Sequence, residues 1–246
     1  MTPLVLSLFP GIGLLDMAFE QEGFCVVRGP DVLWGGDVRN FHPPAGVFDG
    51  VIGGPPCQSF SPLSVLVRSN GHTPRFGNLI PEYERVVVEA QPTWFIMENV
   101  LTAPFAEVEG YVVSAHVLNN RYFGAEQNRK RRISFGTRDG RPLLVDVALF
   151  EAPVSCTTVT SSDGGGVMRG RVPFAVTARH AGHGGKNSKQ YVYPYEEACE
   201  LQGLPRDFLK DAPFTKAGKL QAVANGVPLP MGRAIAAAVR RAFHHG

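Results

Sequence analysis

Cysteine is scarce in this sequence, and its scarcity narrows the class of protein. The four cysteines, Cys25, Cys57, Cys156 and Cys199, are widely separated, and no two form a CxxC motif. So few cysteines in 246 residues argue against a disulfide framework. His180 and His183 have no cysteine or third ligand near them, so the sequence predicts no metal site.

Long apolar runs and a strong excess of charge are also missing. The N-terminal run up to Gly13 lacks a basic segment and is too short for a signal peptide or a membrane span. Lys and Arg number 24 against 22 Asp and Glu, so net charge alone does not indicate nucleic acid. We therefore expect a reduced, cytoplasmic protein without a membrane partner. Basic residues do cluster between positions 129 and 141, which fits either a phosphate-facing surface or an ordinary solvated face.

The N-terminal segment has the pattern of a strand, a glycine turn and a helix. An apolar run from Leu4 to Phe9 precedes Pro10-Gly11-Ile12-Gly13, and a helical pattern then extends from Leu14 to Glu22. Glycines let a ligand approach the backbone, and a helix N-terminus favours polar or anionic groups. The pattern predicts the opening of a nucleotide-binding α/β unit.

Two aspartates follow the second predicted strand, Phe24 to Arg28. Asp31 lies where α/β folds bind ribose hydroxyls, although it also fits a plain turn aspartate. Asp37 is a candidate contact for an adenine or its amino group. The connection between these aspartates is too short for a crossover helix, so we expect this edge of the sheet to be trimmed.

The most informative stretch runs from Gly53 to Ser61. A predicted buried strand, Val47 to Ile52, ends at two glycines, and two prolines then fix the backbone before Cys57. A thiol held at the end of a strand is placed for nucleophilic attack. A lone cysteine is more often a small core residue, so its neighbours decide. The polar segment from Pro62 to Gly77, which contains Arg68 and Arg75, is predicted to be a mobile lid.

A second candidate group follows a helix predicted over Leu79 to Ala90. The apolar strand Thr93 to Met97 ends at Glu98-Asn99-Val100, and the ends of central strands are where α/β sheets place their sites. A capping or ion-paired glutamate is the alternative. Strands predicted over Tyr111 to Leu118 and Arg132 to Gly136 flank Gln127-x-Arg129-x-Arg131. If this segment is extended, both arginines share one face and suit a carbonyl and a phosphate.

Composition changes after the last of these strands. Glycines interrupt residues 137–190, which we expect to form a small appendage with short strands and loops. Helices are then predicted over Tyr195 to Gln202 and Met231 to Phe243. The predicted organisation is a catalytic and cofactor-binding domain over 1–136, a small recognition region over 137–190 and a returning C-terminal segment over 191–246.

Taken in order, these motifs resemble those of the cytosine-5 DNA methyltransferases over nearly the whole chain. Any one of them is weak, but five or six in the same order are specific. The resemblance covers the cofactor loop Phe9–Gly13, the nucleophile motif Pro55–Gln58, the acid motif Glu98–Val100, the paired-arginine motif Gln127–Arg131 and the last two motifs, Glu197–Pro205 and Asn225–Pro228.

The resemblance implies an α/β fold: a Rossmann-like S-adenosylmethionine-dependent methyltransferase sheet with a small target-recognition domain. The final helix would pack beside the glycine loop. The implied partner is double-stranded DNA, the implied product of the cofactor is S-adenosylhomocysteine, and a monomer without metal is expected, with a cognate restriction enzyme as a further partner. The implied catalytic residues are Cys57, Glu98, Arg129 and Arg131. Cofactor contacts would come from Phe9, Gly11, Gly13, Asp31, Asp37, Pro55, Leu79, Asn225 and Val227, and substrate contacts from Gln58, Ser61, Asn99, Val100, Gln127, Arg68 and Arg75.

Three departures from the family pattern stand out. Asp31-Val32 replaces a glutamate followed by a large apolar residue that covers the adenine, Glu126 replaces a proline, and Ala224 replaces a glycine. The recognition region is also short. Three alternatives remain: a transfer RNA cytosine-5 methyltransferase, a catalytically inactive DNA-binding relative, and an NAD-dependent enzyme, which would have no use for the Pro-Pro-Cys loop.

Overall fold

A mixed six-stranded sheet forms the centre of the computed structural model, which describes residues 2–56, 77–148, 156–157 and 194–243. The strands are β1 Leu4–Leu8, β2 Cys25–Arg28, β3 Gly50–Gly53, β4 Trp94–Asn99, β5 Val112–Asn119, β6 Gln127–Asn128, β7 Lys130–Thr137 and β8 Cys156–Thr157. The helices are α1 Leu14–Gln21, α2 Ile80–Ala90, α3 Tyr195–Leu201, α4 Lys216–Asn225 and α5 Leu229–Phe243.

The strand order in the main sheet is β2-β1-β3-β4-β7-β5. Strands β1 to β4 run parallel, whereas β7 pairs antiparallel with both β4 and β5. The chain leaves β1 toward β2 and then returns to place β3 on the other side of β1. This reversal is the topological switch point at which open α/β sheets bind ligands. The predicted Rossmann-like mixed sheet is confirmed.

Alternating residues of the central strands feed two apolar cores on opposite faces of the sheet. On one face, Trp94 and Ile96 pack with Phe19 of α1 and Ile235 of α5. On the other face, Phe95 and Met97 pack with residues of α2. Helices α1 and α5 approach closely, because a Cβ on Gly232 would lie 2.7 Å from the Cβ of Ala18. The last helix therefore completes the layer that α1 begins.

Several boundaries differ from the sequence-based expectation. The strand predicted over Val47 to Ile52 begins only at Gly50, because the Asp49 carboxylate accepts a hydrogen bond from the Leu4 backbone N–H at 2.7 Å. Helix α4 was not predicted. Its start is capped by the Thr215 hydroxyl, which accepts from the Gly218 N–H. Strand β2 forms the sheet edge, and two 3-10 turns replace a crossover helix, as expected from the short connection.

Helices α4 and α5 together span Lys216–Phe243, a run that is long and apolar enough, by length and composition alone, to cross a membrane. More than half of its apolar window is buried inside the protein. Core helices of soluble proteins pass the same test, so the run carries little weight as evidence for a membrane span. Residues 149–155 and 158–193 lie outside the described residues, so the boundaries of the small region stay a prediction.

Substituting Gly50 with alanine should destabilise the fold strongly. Gly50 pairs with Trp94 across β3 and β4, and an added Cβ would lie 2.2 Å from the indole ring. Such overpacking costs about 1–3 kcal/mol or more. Urea denaturation measures the loss, with Gly77→Ala as the matched control, because a Cβ there meets no atom within 4 Å among the residues that the structure describes. Equal stability of the two variants would contradict the packing argument.

Candidate active site

Three loops meet at one edge of the sheet because they follow adjacent parallel strands. The glycine loop Phe9–Gly13 follows β1, Gly54-Pro55-Pro56 follows β3, and Val100 follows β4. The carboxyl ends of β1 and β3 flank the switch point, which is where such sheets form a ligand crevice. The predicted cofactor loop, the loop leading to Cys57 and the acid motif are therefore neighbours.

The glycine loop has a backbone that side chains rarely adopt. Gly11 and Gly13 have φ angles of 56° and 80°, and Phe9 has a φ of 55° although it carries a bulky side chain. For a non-glycine residue such as Phe9, this conformation costs roughly 1–3 kcal/mol, and strain of this kind clusters at functional sites. A Cβ on Gly11 would meet no atom of the described residues within 4 Å, so these residues leave the loop open on that side. This geometry suits close approach of a ligand to the backbone.

Asp31 holds the glycine loop in place. One of its carboxylate oxygens accepts a hydrogen bond from the Gly11 N–H at 2.9 Å, and the other accepts from the Leu33 N–H at 2.7 Å. An ionised carboxylate has about four acceptor positions, so these two bonds leave room for a further donor such as a hydroxyl. Asp31 thus lies at the loop and orders it, while its predicted contact with ribose hydroxyls stays a prediction.

Sequence reasoning missed Trp34, which lies on the same side of the fold. Its indole Nε1–H donates to the Gly11 carbonyl at 2.7 Å, and its ring is 6.0 Å from that of Phe214. Trp34 is nevertheless 60% exposed, which is unusual for a residue of this size. The only signal for it in the sequence is a lone aromatic residue in a Gly-rich turn, which the sequence predicts to be a trimmed edge of the sheet.

A second brace behind the loop was also missed. Asp16, in the first turn of α1, is fully buried, and it accepts hydrogen bonds from the Ser7 hydroxyl and from Arg28 Nε at 2.9 Å. Burial raises the pKa of the Asp16 carboxyl, and its bonds to Ser7 and Arg28 oppose that shift. The network ties β1, α1 and β2 together directly beneath the loop.

The carboxylate of Asp37 forms an ion pair with the neighbouring Arg39. Both of its carboxylate oxygens bond the Arg39 guanidinium, with Nη2 to Oδ2 at 2.6 Å. The hydrogen bond from the Arg39 side chain lowers the pKa of Asp37. Its predicted contact with adenine stays a prediction.

Glu98 and Arg131 form an ion pair at the end of β4. Arg131 Nε lies 2.7 Å from Glu98 Oε1, and both side chains are largely buried. Arg131 Nη1 donates to the Lys130 carbonyl at 2.8 Å, and Nη2 makes no hydrogen bond to any described residue. Gly54 faces the carboxylate, since a Cβ there would lie 3.1 Å from Glu98 Oε2. A larger residue at this position would crowd the acid.

Asn99 connects the acid motif to the proline loop. Its buried amide Nδ2 donates to the Pro55 carbonyl at 3.2 Å, while its Oδ1 accepts from the Val100 N–H at 2.8 Å. Its amide therefore fixes the backbone two residues before Cys57. Cys57, Gln58, Ser61, Arg68 and Arg75 lie outside the described residues.

Arg129 does not share the surroundings of Arg131. The strand is interrupted between β6 and β7, and Arg129 is only 1% exposed. Its Nη2 donates to the carbonyls of Ala224 and Gly226, at 2.8 and 3.0 Å. The two arginines that an extended segment would place on one face thus contact different parts of the protein.

The other arginines of the 129–141 cluster also contact separate partners. Arg132 stacks over the Phe105 ring, Arg138 over Tyr111 and Arg141 over Phe243, at 4.5, 5.2 and 4.8 Å from the ring centroids. The cluster in the sequence is therefore divided among several local contacts.

Other predicted site residues occupy varied environments. Pro55, Gln127 and Val227 are buried, Leu79 and Val100 are half-buried, and Asn225 is exposed at the end of α4. Within the described ranges, no group of three or more His, Cys, Asp or Glu side chains is arranged to hold a metal ion.

Comparison with known proteins decides the family. The model of the C-5 cytosine-specific DNA methylase family matches residues 35–163, just over half of the chain.

The chain belongs to the C-5 cytosine-specific DNA methylase family.

Named methylases support this placement. The chain is 29% identical over 205 residues to the type II methyltransferase M.XorII of Xanthomonas oryzae pv. oryzae, covering 66% of this chain and 46% of that protein. It is 32% identical over 179 residues to the type II methyltransferase M.FnuDI of Fusobacterium nucleatum, covering 61% and 50%. The chain thus spans about half the length of the curated relatives it matches.

A solved structure supports the fold. A putative DNA modification methyltransferase encoded within a prophage of E. coli superposes with a TM-score of 0.64 at 18% identity, covering 99% of this chain and 100% of that one.

Two departures from the methylase pattern can be placed. Ala224 is buried in the last turn of α4, and its carbonyl takes part in the bond from Arg129. Val32, which stands where the family has a large residue over the adenine, is followed two positions later by Trp34. The exposed indole ring of Trp34 is therefore close in sequence to the position from which the family's large apolar residue covers the adenine.

Proposed function

We propose that the chain is an S-adenosylmethionine-dependent DNA cytosine-5 methyltransferase acting on duplex DNA. The observation that supports this most directly is the Glu98–Arg131 ion pair, which lies beside Gly54 at the start of the loop leading to Cys57. An acid, a cation and a thiol would thereby face a single planar base. Membership of the C-5 cytosine-specific DNA methylase family also favours DNA as the substrate.

The proposed chemistry begins with extrusion of a cytosine from the duplex, at a cost of a few kcal/mol. The Cys57 thiolate adds to carbon 6 of the ring. Glu98, carrying a proton, donates a hydrogen bond to N3, and the second amino group of Arg131 holds O2, so that the negative charge developing on the ring is stabilised. Carbon 5 then becomes nucleophilic. After methylation, loss of the carbon 5 proton to a base lets Cys57 leave.

The residues around the glycine loop fit the cofactor. S-adenosylmethionine supplies an electrophilic methyl group on its sulfonium when bound. The open face of Gly11 admits a ligand against the backbone, and Asp31 keeps acceptor positions for ribose hydroxyls. Phe9, Trp34 and Leu79 offer apolar surface for an adenine. No step of this scheme calls on a metal.

Trp34 should matter for cofactor affinity if it covers the adenine in place of Val32. Trp34→Ala removes a stacking surface and the bond to the Gly11 carbonyl, so we expect about tenfold weaker binding, equivalent to roughly 1–1.5 kcal/mol. Trp34→Phe, which keeps a ring but not the N–H, should lose less. Isothermal titration with S-adenosylhomocysteine measures both. Wild-type affinity in the alanine variant would remove Trp34 from the site.

The test of the function is methyl transfer to mixed-sequence duplex DNA, with transfer RNA assayed in parallel and bisulfite sequencing as the readout. Protection of cytosines in a fixed short context is the expected result. Protection only on the RNA would move the substrate to the alternative class. Bound cofactor without transfer to either nucleic acid would support an inactive DNA-binding relative.

A cytoplasmic monomer and a cognate restriction enzyme are parts of the same proposal, the latter because M.XorII and M.FnuDI are type II methyltransferases.

A further inference from the structure

The paired-arginine motif divides its two side chains between two places. Arg131 contacts Glu98 at the end of β4. Arg129 is buried and donates from one nitrogen, Nη2, to the carbonyls of Ala224 and Gly226. Arg129 is therefore buried against the backbone of a distant segment, whereas Arg131 lies beside the acid motif.

Those two carbonyls belong to the end of α4, where hydrogen-bond donors are needed. The last carbonyls of a helix have no partner within it, and a cation near them is favoured by the helix dipole. Gln202 helps in the same way, because its Nε2 donates to the Val223 carbonyl at 3.1 Å. The Gln202 carbonyl in turn accepts from the Leu229 N–H at 2.9 Å. Arg129 and Gln202 together fix both ends of the turn between α4 and α5.

This turn, Asn225–Pro228, packs against the start of α1. A Cβ on Gly226 would lie 2.4 Å from Leu14 Cδ1, so only glycine lets the turn come this close. Leu14 directly follows Gly13 of the cofactor loop. The side chain of Asn225 is exposed, while that of Val227 is buried in the core shared by α1 and α5. A shift of the turn would therefore move Asn225 relative to the loop.

We propose that Arg129 is a positioning residue for the cofactor site, and that Arg131 alone of the pair serves the base. Arg129 acts by holding the turn Asn225–Pro228 against the glycine loop. The inference rests on the proposed function, because Asn225 and Val227 are taken as cofactor contacts through the family resemblance. The proposal thus gives Arg129 a different role from Arg131, although both belong to the same paired-arginine motif.

The experiment measures equilibrium binding of S-adenosylhomocysteine in the absence of DNA, so that the base site plays no part. Arg129→Met should bind about tenfold more weakly or worse, because it leaves two carbonyls at the turn without their donor. Arg129→Lys keeps a cation with several N–H groups and should recover part of the affinity. Arg131→Lys should bind the cofactor as the wild type does. In steady-state assays, Arg129→Lys should raise the KM for S-adenosylmethionine more than it lowers kcat.

Val87→Ala is the control for general destabilisation, since Val87 is buried in α2, in the core on the opposite face of the sheet from Val227 of the turn. It should lower the melting temperature yet leave the affinity within about twofold of wild type. A loss of affinity in Val87→Ala as large as in the Arg129 variants would assign the effect to stability and overturn the proposal. Wild-type affinity in Arg129→Met, or in Arg129→Lys should the methionine variant fail to fold, would overturn it as well. Absence of binding by the wild type itself would instead refute the cofactor assignment, and this role with it.

Discussion

Replacing Cys57 with alanine should abolish methyl transfer and leave cofactor binding intact. Without a thiolate to add at carbon 6, carbon 5 of cytosine is not activated toward the methyl donor. Removal of the nucleophile in covalent catalysis lowers kcat by on the order of 10⁶-fold, so activity should fall to background. Transfer of radiolabelled methyl groups to duplex DNA measures the loss, and calorimetric titration with S-adenosylhomocysteine measures the cofactor affinity.

Cys25→Ser is the matched control for this experiment. Cys25 is exposed on the edge strand β2, so its substitution removes a thiol without touching the site. It should keep wild-type activity. Measurable turnover by Cys57→Ala would exclude the covalent route, and loss of cofactor binding in that variant would count against a purely catalytic role.

Changes at Glu98 should have the second largest effect and should separate chemistry from stability. Glu98→Gln keeps the shape of the side chain but replaces the carboxylate, so we expect kcat to fall by about 10²–10⁴-fold, the range typical of acid–base groups. Glu98→Ala also leaves the largely buried Arg131 without its partner. Breaking such a pair from one side costs about 3–5 kcal/mol, so this variant should unfold at a clearly lower temperature.

Single-turnover rates measure the effect of each variant on the chemical step, and thermal melts measure its effect on stability. Glu89→Gln serves as the control, because Glu89 pairs with Arg85 near the surface of α2 and such pairs contribute about 1 kcal/mol or less. That variant should retain both rate and stability. Wild-type kinetics in Glu98→Gln would exclude Glu98 from the reaction, whatever its effect on folding.

Much of the framework could be predicted because it depends on local patterns. The first strand, the glycine turn and α1 are encoded in one continuous segment, and the apolar run ending at Glu98 is found in the structure as β4, Trp94–Asn99. The final helix was also expected and begins two residues earlier, at Leu229. Periodicity and glycine placement act over a few residues, which is the range that sequence reasoning resolves well.

The details of the site depended on contacts between distant segments. Nothing near Arg129 in the sequence indicates that its partners are Ala224 and Gly226, which are more than ninety residues away. The bond from Trp34 to Gly11 and the pairing of Asp16 with Arg28 likewise join separate elements. Helix α4 was not predicted for a local reason. It contains Gly218, and its apolar residues form only a weak amphipathic pattern. Helix and strand propensities describe neighbouring residues and carry no information about contacts between distant segments.

The packing of α5 on α1 has a consequence for how the protein is made. Phe19 and Leu15 of α1 share one core with Ile235 and Val239 of α5, and Gly226 seats the preceding turn on Leu14. During synthesis, the apolar side of α1 stays uncovered until α5, which begins more than 200 residues later in the sequence, has emerged from the ribosome. The core between these two helices therefore forms late in translation, after the strands between them have been made.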